Sequence, residues 1–306
     1  MTQSAFEGRR AHSMAEMAQL NSRMMSGEDV VASIAAYKAR PTDIVISPAG
    51  KCGTTLLQQT FHTLRTRGDM DFDDVSRVVP WIETAKSLRL DINADQVAQP
   101  RGFKSHLSWD QIPKGAKYIV SLRDPKDAFA SAYRFMEGWF FEPGTISYEE
   151  FFADRADKRG KATDYWAHLV SWWRQRDNPS VLLLAYEHMV ENPEANIQRI
   201  ANFCEIPLDD ELLALTLAHT SREFMLEHKD RFDDHLMRQL TESKCGVPAG
   251  SDSAKVRAAS TGPRREELPQ AVSDGLDRIW SSDVAGKIDM VDYAAVEAEL
   301  RARATD

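Results

Sequence analysis

The sequence predicts an α/β domain in which a central, mostly parallel sheet is flanked by helices. Short apolar runs occupy residues 44–46, 118–122 and 181–185. They do not alternate with polar residues, which is typical of strands that helices cover on both faces. Turns and stretches with helical periodicity follow these runs. Because the chain has 306 residues, 42% of them hydrophobic, it can bury one such sheet between two helical layers.

We assign residues 1–40 to an N-terminal helical segment and residues 41–306 to a single α/β domain. The N-terminal segment has no apolar signal core. Its apolar residues instead have the spacing of an amphipathic helix; they are Met14, Met17, Leu20, Met24 and Met25.

Cysteine content and hydropathy predict a cytoplasmic protein. The cysteines at 52, 204 and 245 form neither a disulfide framework nor a metal-ligand spacing, which indicates a reducing compartment. No apolar run is long enough to cross a membrane. The formal charge of −9 argues against general nucleic-acid binding, because a phosphate backbone requires clustered cations.

Residues 43–57 predict a buried strand, a glycine-bearing turn and the start of a helix. Gly50 and Gly53 allow the backbone to turn tightly, and the unpaired amides of a helix start point toward an anion. We therefore expect this turn to bind a phosphate. The residues expected to contact it are Lys51, Cys52, Gly53, Thr54 and Thr55.

This turn differs from the usual nucleoside-triphosphate loop. The pattern G-x-x-x-x-G-K-[ST] would require glycine at Val45 and a hydroxyl at Cys52. A phosphatase-type role for the Cys52 thiol is also disfavoured, because Gln58 stands where a phosphate-binding arginine would be needed. A conventional kinase or GTPase is therefore disfavoured, and a small-molecule kinase is kept as an alternative.

A second strand, turn and helix is predicted from residue 118 onward. Pro125 suits a first helical turn, and Arg123 ends the strand facing the crevice where such sheets bind ligands. Its planar guanidinium matches a phosphate, to which Ser131, two helical turns on, can donate a hydroxyl. The alternative is that Arg123 and Asp127 only pair across the turn.

Both blocks resemble motifs of the sulfotransferases that use 3′-phosphoadenosine 5′-phosphosulfate (PAPS). Pro-x-x-Lys-x-Gly-Thr-Thr at 48–55 is similar to the family's 5′-phosphosulfate loop. Arg-Asp-Pro-x-Asp at 123–127, followed by Ser131, is similar to its 3′-phosphate motif. The resemblance covers roughly residues 40–290. It implies a P-loop NTPase-like fold, PAPS as sulfonyl donor, 3′-phosphoadenosine 5′-phosphate (PAP) as product, and no metal.

The catalytic residues expected from this resemblance are His106, Lys104 and Lys51. Lys104-Ser105-His106 stands where the family has Lys-Thr-His at a strand end. An unperturbed histidine has a pKa near about 6.5, so it can take the proton of an attacking hydroxyl or amine. The two lysines would stabilise charge on the leaving phosphate during in-line transfer.

Tyr186 matches the family tyrosine that reaches the adenine edge. Leu56 and Arg222 stand where the family has aromatic residues that stack on the base. Because a guanidinium plane can also stack on a purine, Arg222 is kept as a candidate adenine contact.

Arg257 and Gly262 keep the spacing of Arg-Lys-Gly-x-x-Gly, the family loop that closes over the 3′-phosphate. Alanines replace the Lys and the first Gly, and an ordinary exposed loop is the alternative. Residues 245–262, rich in Gly, Ser, Pro and Ala, are predicted to form a mobile lid.

The acceptor pocket is predicted to be largely apolar. An aromatic lining suits a phenol, sterol or lipid alcohol with one reactive hydroxyl, although half of these rings are expected to be ordinary core. The residues assigned to this pocket are Trp81, Phe103, His106, Phe135, Trp139 and Phe140. A protein that resembles a sulfotransferase but binds nucleotide without chemistry is the second alternative. No oligomeric state is predicted.

Overall fold

The computed structural model describes residues 8–160, 164–250, 255–256 and 268–304. Its sheet has four strands in the order β2-β1-β3-β4, and every pairing is parallel. The strands are β1 (Ile44–Ile46), β2 (Gly102–Lys104), β3 (Lys117–Leu122) and β4 (Val181–Ala185). The predicted fold class is confirmed.

Helices surround the sheet. They are α1 (Met14–Met24), α2 (Gly27–Ala36), α3 (Thr54–Thr66), α4 (Val75–Val78), α5 (Pro125–Trp139), α6 (Tyr148–Asp157), α7 (Tyr165–Trp173), α8 (Tyr186–Glu191), α9 (Pro193–Phe203), α10 (Asp210–His219), α11 (Arg222–Glu227), α12 (His235–Cys245), α13 (Gln270–Ile279), α14 (Ala285–Ile288) and α15 (Tyr293–Ala302). Short 3-10 turns cover Ile82–Thr84 and Lys229–Arg231, and a π-helical turn covers Trp280–Val284. Of these helices, none is long and apolar enough to span a membrane.

Successive residues of the strands enter two different cores. Val45 and Val120 belong to the larger core, which includes residues of α1, α5, α6, α7, α13 and α15. Ile46 and Ile119 belong to a second core with residues of α3, α9, α10 and α11. Side chains alternate across a strand, so one short apolar run supplies both layers. Each fully buried aliphatic side chain contributes about 1.5–3 kcal/mol.

The N-terminal segment contains two helices where the spacing predicted one. Helix α1 ends at Met24, and Ser26 then begins α2 by accepting a hydrogen bond from the Asp29 amide at 3.1 Å. Serine at this position satisfies an amide that the helix itself cannot pair. The division of the chain at residue 40 stays a prediction.

Tyr186 begins a short helix, α8, directly after β4, where the sequence predicted a turn. Helix α9 follows after Asn192, with Pro193 in its first turn.

A buried ion pair that the sequence did not indicate joins the amino ends of β1 and β2. Arg101 and Asp43 are 1% and 0% exposed, and two guanidinium nitrogens donate to the carboxylate at 2.9 and 2.7 Å. The Tyr37 hydroxyl, which follows α2, donates to the same carboxylate at 2.9 Å. Burial and this carboxylate raise the pKa of Tyr37. The pair therefore also ties the N-terminal segment to the sheet.

Candidate active site

The segments that carry Lys51, Lys104, Arg123 and Tyr186 meet at the carboxyl ends of the parallel strands. β1 pairs with both β2 and β3, which places the residues after Ile46 beside Lys104 and beside the end of β3. β4 runs alongside β3 as far as the pair Leu122 and Ala185. This edge is the usual ligand-binding edge of an open parallel sheet.

The turn between β1 and α3 depends on two left-handed residues. Gly53 has φ 92°, and a Cβ there would lie 2.7 Å from Cδ2 of Tyr186, so only glycine fits. Lys51 has φ 68°, whereas Gly50 lies outside the left-handed region. A non-glycine residue in this conformation costs roughly 1–3 kcal/mol and is held by its surroundings. Here Arg123 Nη1 donates to the Lys51 carbonyl at 2.8 Å.

Polar groups of this turn suit an anion. Gly53 caps α3 without a side-chain hydrogen bond, and within the described part of the chain no side chain accepts from the first amides of α3. Thr54 Oγ1 is buried and has no hydrogen-bond partner among the residues that the structure describes. Uncapped amides, a buried unpartnered hydroxyl and the Lys51 ammonium together fit a phosphate or sulfate group.

Cys52 is an inert part of the turn. It is 1% exposed, and burial raises the pKa of its thiol to about 12. Its amide donates to the Ala49 carbonyl at 3.2 Å, and its carbonyl accepts from the Ser121 hydroxyl. The thiol stays protonated at neutral pH, which agrees with the prediction that it is no nucleophile. A contact between Cys52 and a phosphate stays a prediction.

Arg123 lies between the phosphate turn and Tyr186. Its guanidinium carbon is 4.4 Å from the centroid of the Tyr186 ring. Its buried Nε has no hydrogen-bond partner in the described ranges. Asp124 caps α5 by accepting from the Lys126 amide at 2.8 Å, which fixes how the chain leaves β3. Ser131 is half-buried on the second turn of α5. The structure therefore brings Arg123, Tyr186 and Lys51 together.

Three residues that the sequence analysis did not assign hold the backbone around Arg123. The Tyr165 hydroxyl donates to the Arg123 carbonyl. The Tyr293 hydroxyl lies 2.9 Å from the Leu122 carbonyl, and Glu187 accepts from the Asp124 amide at 3.0 Å. Tyr165 and Tyr293 are far from Arg123 in sequence, so no local pattern could indicate them. Glu187 directly follows Tyr186, and that adjacency was the only available signal.

His106 is fixed by three contacts. Its Nδ1 lies 2.7 Å from the Pro48 carbonyl, its backbone amide donates to Glu83 Oε1 at 2.7 Å, and its ring meets Trp81 edge to face at 5.2 Å. A carbonyl can only accept, so Nδ1 carries the proton and the neutral ring has its lone pair on Nε2. Burial, then the charge of Lys104, lowers the pKa of His106 to about 3. The imidazole is therefore neutral at physiological pH.

The two predicted catalytic lysines each lie over an aromatic ring. Lys104 Nζ is 4.0 Å from the Trp81 ring centroid, and Lys51 Nζ is 4.4 Å from that of Phe135. Lys104 is 3% exposed, and burial lowers its pKa to about 8, against the opposing effect of the nearby Asp234. Cation–π contacts of this kind stabilise a desolvated ammonium.

The aromatic residues predicted for the acceptor pocket divide into two groups. Trp81 and Phe135 lie beside the lysines. Trp139 and Phe140 are buried and stack on each other at 5.1 Å. Phe103 is 0% exposed and packs 4.8 Å from Tyr37, and its assignment to the pocket stays a prediction. Neighbouring residues of a strand face opposite ways, so Phe103 points away from the side on which Lys104 lies.

The remaining predicted cofactor residues lie further along the chain. Arg222 is exposed and is the first residue of α11. Arg257 and Gly262 lie outside the described residues. Of the predicted lid, the structure describes residues 245–250 and 255–256. A lid function for it stays a prediction.

Comparison with known proteins identifies the family. The family model described as "Sulfotransferase domain" matches residues 41–287. Sulfotransferase 1B1 of Mus musculus is 31% identical over 264 residues, which are 83% of this chain and 86% of the relative. Sulfotransferase 1E1 of Bos taurus is 30% identical over 264 residues, 83% of this chain and 87% of the relative.

The fold agrees with this match. A crystal structure of mouse sulfotransferase SULT7A1 complexed with PAP superposes with a TM-score of 0.65 at 20% identity, covering 92% of this chain and 96% of that one. Retinol dehydratase, solved with androsterone and inactive cofactor PAP, also gives a TM-score of 0.65, at 17% identity and the same coverage. The resemblance of the sequence to the PAPS-dependent sulfotransferases is thus confirmed at the level of the family, and this chain belongs to the sulfotransferase family.

Proposed function

We propose that this enzyme transfers a sulfonyl group from PAPS to a hydroxyl or amine of a small, largely apolar acceptor. PAPS supplies the sulfonyl group and an anionic leaving group. The observation that carries the proposal is the hydrogen bond from His106 Nδ1 to the Pro48 carbonyl at 2.7 Å. This hydrogen bond leaves His106 Nε2 as the proton acceptor. It also connects the imidazole to Pro48, which directly precedes the phosphate turn.

His106 would remove the proton of the acceptor. Its pKa of about 3 makes it a weak base in the absence of ligand. An anion bound beside it would raise this pKa, because a neighbouring negative charge favours the imidazolium. The base would then become more effective when the donor is bound.

Lys51, Lys104 and the first amides of α3 would stabilise the negative charge that develops on the leaving phosphate. Fixed donors act strongly in a site from which water is excluded, because they need no reorganisation during the reaction. The 3% exposure of Lys104 supports this role.

Arg123, Ser131 and Tyr186 would bind the 3′-phosphate and adenosine. Arg123 offers a guanidinium whose Nε has no partner among the described residues, and Tyr186 lies against its face. Two solved structures with this fold contain PAP, which supports the same ligand here. Arg222 is kept as a candidate adenine contact, and Arg257 and Gly262 as candidate 3′-phosphate contacts.

The acceptor would be a phenol, sterol or lipid alcohol whose apolar body packs on Trp81 and Phe135. Both rings lie against the catalytic lysines. Trp139 is in edge-to-face contact with Phe135 at 5.3 Å and would support that wall from behind. The family match favours sulfonyl transfer over the small-molecule kinase alternative.

Replacing Arg123 with alanine should weaken PAP much more than adenosine 5′-phosphosulfate, which lacks the 3′-phosphate. We expect a difference of about 1.5–3 kcal/mol, the range for a hydrogen bond to a charged group. Calorimetry with both ligands measures it. Because Arg123 also supports the Lys51 carbonyl, damage to the turn would affect both ligands alike. Arg174→Ala, at an exposed arginine, is the control. Equal losses for the two ligands would make Arg123 purely structural.

Replacing Lys51 with alanine should lower the rate of transfer more than the affinity for PAP. Its charge matters most as negative charge builds on the leaving phosphate, and an interaction that is stronger in the transition state appears in turnover. Single-turnover rates and calorimetric affinities are compared, with exposed Lys38→Ala as control. A loss confined to affinity would show that Lys51 is only a docking contact.

A further inference from the structure

Asp234 is the N-cap residue of α12, but its side chain does not cap the helix. It is the residue before α12, where aspartate usually accepts a hydrogen bond from an amide of the first turn. Its side chain makes no such bond, and its backbone has φ 48°. The Leu236 amide is instead satisfied by Asp74 Oδ2 at 2.9 Å. Asp74 thus takes over the capping role, and the Asp234 carboxylate is directed elsewhere.

The Asp234 carboxylate lies between two lysines beside the candidate active site. Its Oδ1 is 3.8 Å from Lys104 Nζ, and its Oδ2 pairs with Lys255. All three side chains are largely buried, with exposures of 4% for Asp234, 3% for Lys104 and 11% for Lys255. The carboxylate therefore separates two ammonium groups that would otherwise face each other in a medium of low dielectric constant.

Asp234 and Lys104 interact through their charges and not through a hydrogen bond. A separation of 3.8 Å is too long for one, and no described residue forms a hydrogen bond with Asp234 Oδ1. Asp234 carries one negative charge between two ammonium groups, so it can balance only one of them. This arrangement keeps Lys104 charged and leaves its N–H groups able to meet an incoming anion.

Other charges also face Lys104. Asp74 and Glu83 favour its charged form, whereas burial and Lys255 oppose it. Among the acidic groups, Asp234 has the largest effect on the pKa of Lys104, which is nevertheless lowered to about 8. Without the Asp234 charge, Lys104 would lose its proton at a lower pH.

We propose that Asp234 is a positioning residue for sulfonyl transfer, which holds Lys104 charged and in place two residues from His106. This inference rests on the proposed function and adds a residue to it. Asp234 acts through Lys104 and need not touch the donor or the acceptor itself.

The test compares Asp234→Asn with Asp234→Glu and with Asp233→Asn. Asp233 provides a matched control because it is the adjacent aspartate and pairs with Arg238 at 3.0 Å. The pKa of Lys104 is first measured without ligand, by NMR of labelled lysine side chains, with Lys104→Met used for assignment. We expect Asp234→Asn to lower this pKa by about one unit or more, and Asp233→Asn to leave it unchanged.

Turnover is then measured from about pH 6.5 to about pH 8.5, where a lysine with a pKa near about 8 loses its charge. If the pKa of Lys104 is lower, the lysine loses its charge at a lower pH. The turnover of Asp234→Asn should therefore approach that of the parent at the acid end of this range. At the alkaline end it should fall about tenfold below the parent. Asp234→Glu should restore much of the difference, and Asp233→Asn should match the parent throughout.

Two results would overturn the inference: an unchanged Lys104 pKa in Asp234→Asn, or a loss of turnover equal at every pH, as a purely structural defect would give. The NMR measurement needs neither donor nor acceptor. A lowered Lys104 pKa in a protein whose parent transfers no sulfonate would therefore contradict the proposed function and not the role of Asp234 toward Lys104.

Discussion

Replacing His106 with alanine is expected to lower turnover by about a hundredfold or more, the usual scale for the loss of a general base. The structure gives the imidazole one tautomer, through its hydrogen bond to the Pro48 carbonyl at 2.7 Å. Alanine removes the proton acceptor but leaves the phosphate turn and Arg123 in place. Calorimetric affinity for PAP should therefore stay close to that of the parent.

The control for this substitution is His12→Ala, which removes an exposed histidine near the N-terminus. It should leave both turnover and PAP affinity unchanged. Parent-like turnover in His106→Ala would remove His106 from the mechanism. A parallel loss of PAP affinity would instead show that the imidazole mainly supports the phosphate turn.

The second large effect concerns stability. Asp43→Ala should lower the free energy of unfolding by about 3–5 kcal/mol, the range for breaking a buried ion pair by removing one partner. The substitution leaves the Arg101 guanidinium, 1% exposed, without its carboxylate, and it also removes the acceptor of the Tyr37 hydroxyl. Urea unfolding followed by circular dichroism measures the change.

An exposed ion pair offers the matched control for Asp43. Asp73 pairs with Arg77 at 2.5 Å, with side chains that are 54% and 47% exposed. Asp73→Ala should cost no more than about 1 kcal/mol, because water screens such a pair. If both alanine variants lower the free energy of unfolding by the same amount, burial gives the pair of Asp43 and Arg101 no stability beyond that of an exposed ion pair. Adding Arg101→Met to Asp43→Ala should recover part of the loss, since the unpaired charge is then gone.

Local sequence was sufficient to predict the turn between β1 and α3, and β3 with α5. Each combines an apolar run with a turn residue of fixed conformational preference, such as Gly53 or Pro125. The resemblance to a known family then supplied roles for His106 and Tyr186 that no periodicity could give. These segments lie at one edge of the sheet because the carboxyl ends of parallel strands meet there.

Features that depend on distant contacts could not be predicted. The left-handed backbone of Lys51 is held by Arg123, 72 residues away. Tyr293 reaches the Leu122 carbonyl across 171 residues of sequence. In a strand of only three residues, the neighbouring strands decide which side chain points to which face of the sheet. In β2 they place Phe103 in the larger core.

The central claim is tested most directly by incubating the protein with PAPS radiolabelled in the sulfonyl group and a panel of phenols, sterols and lipid alcohols. We predict transfer of label to at least one acceptor, in amounts that match the PAP formed, and no labelling of the same acceptors by ATP with Mg²⁺ carrying a labelled γ-phosphate. Binding of PAP without transfer to any member of the panel would contradict the claim and favour a nucleotide-binding protein without chemistry. Phosphate transfer from ATP would contradict it in favour of the kinase.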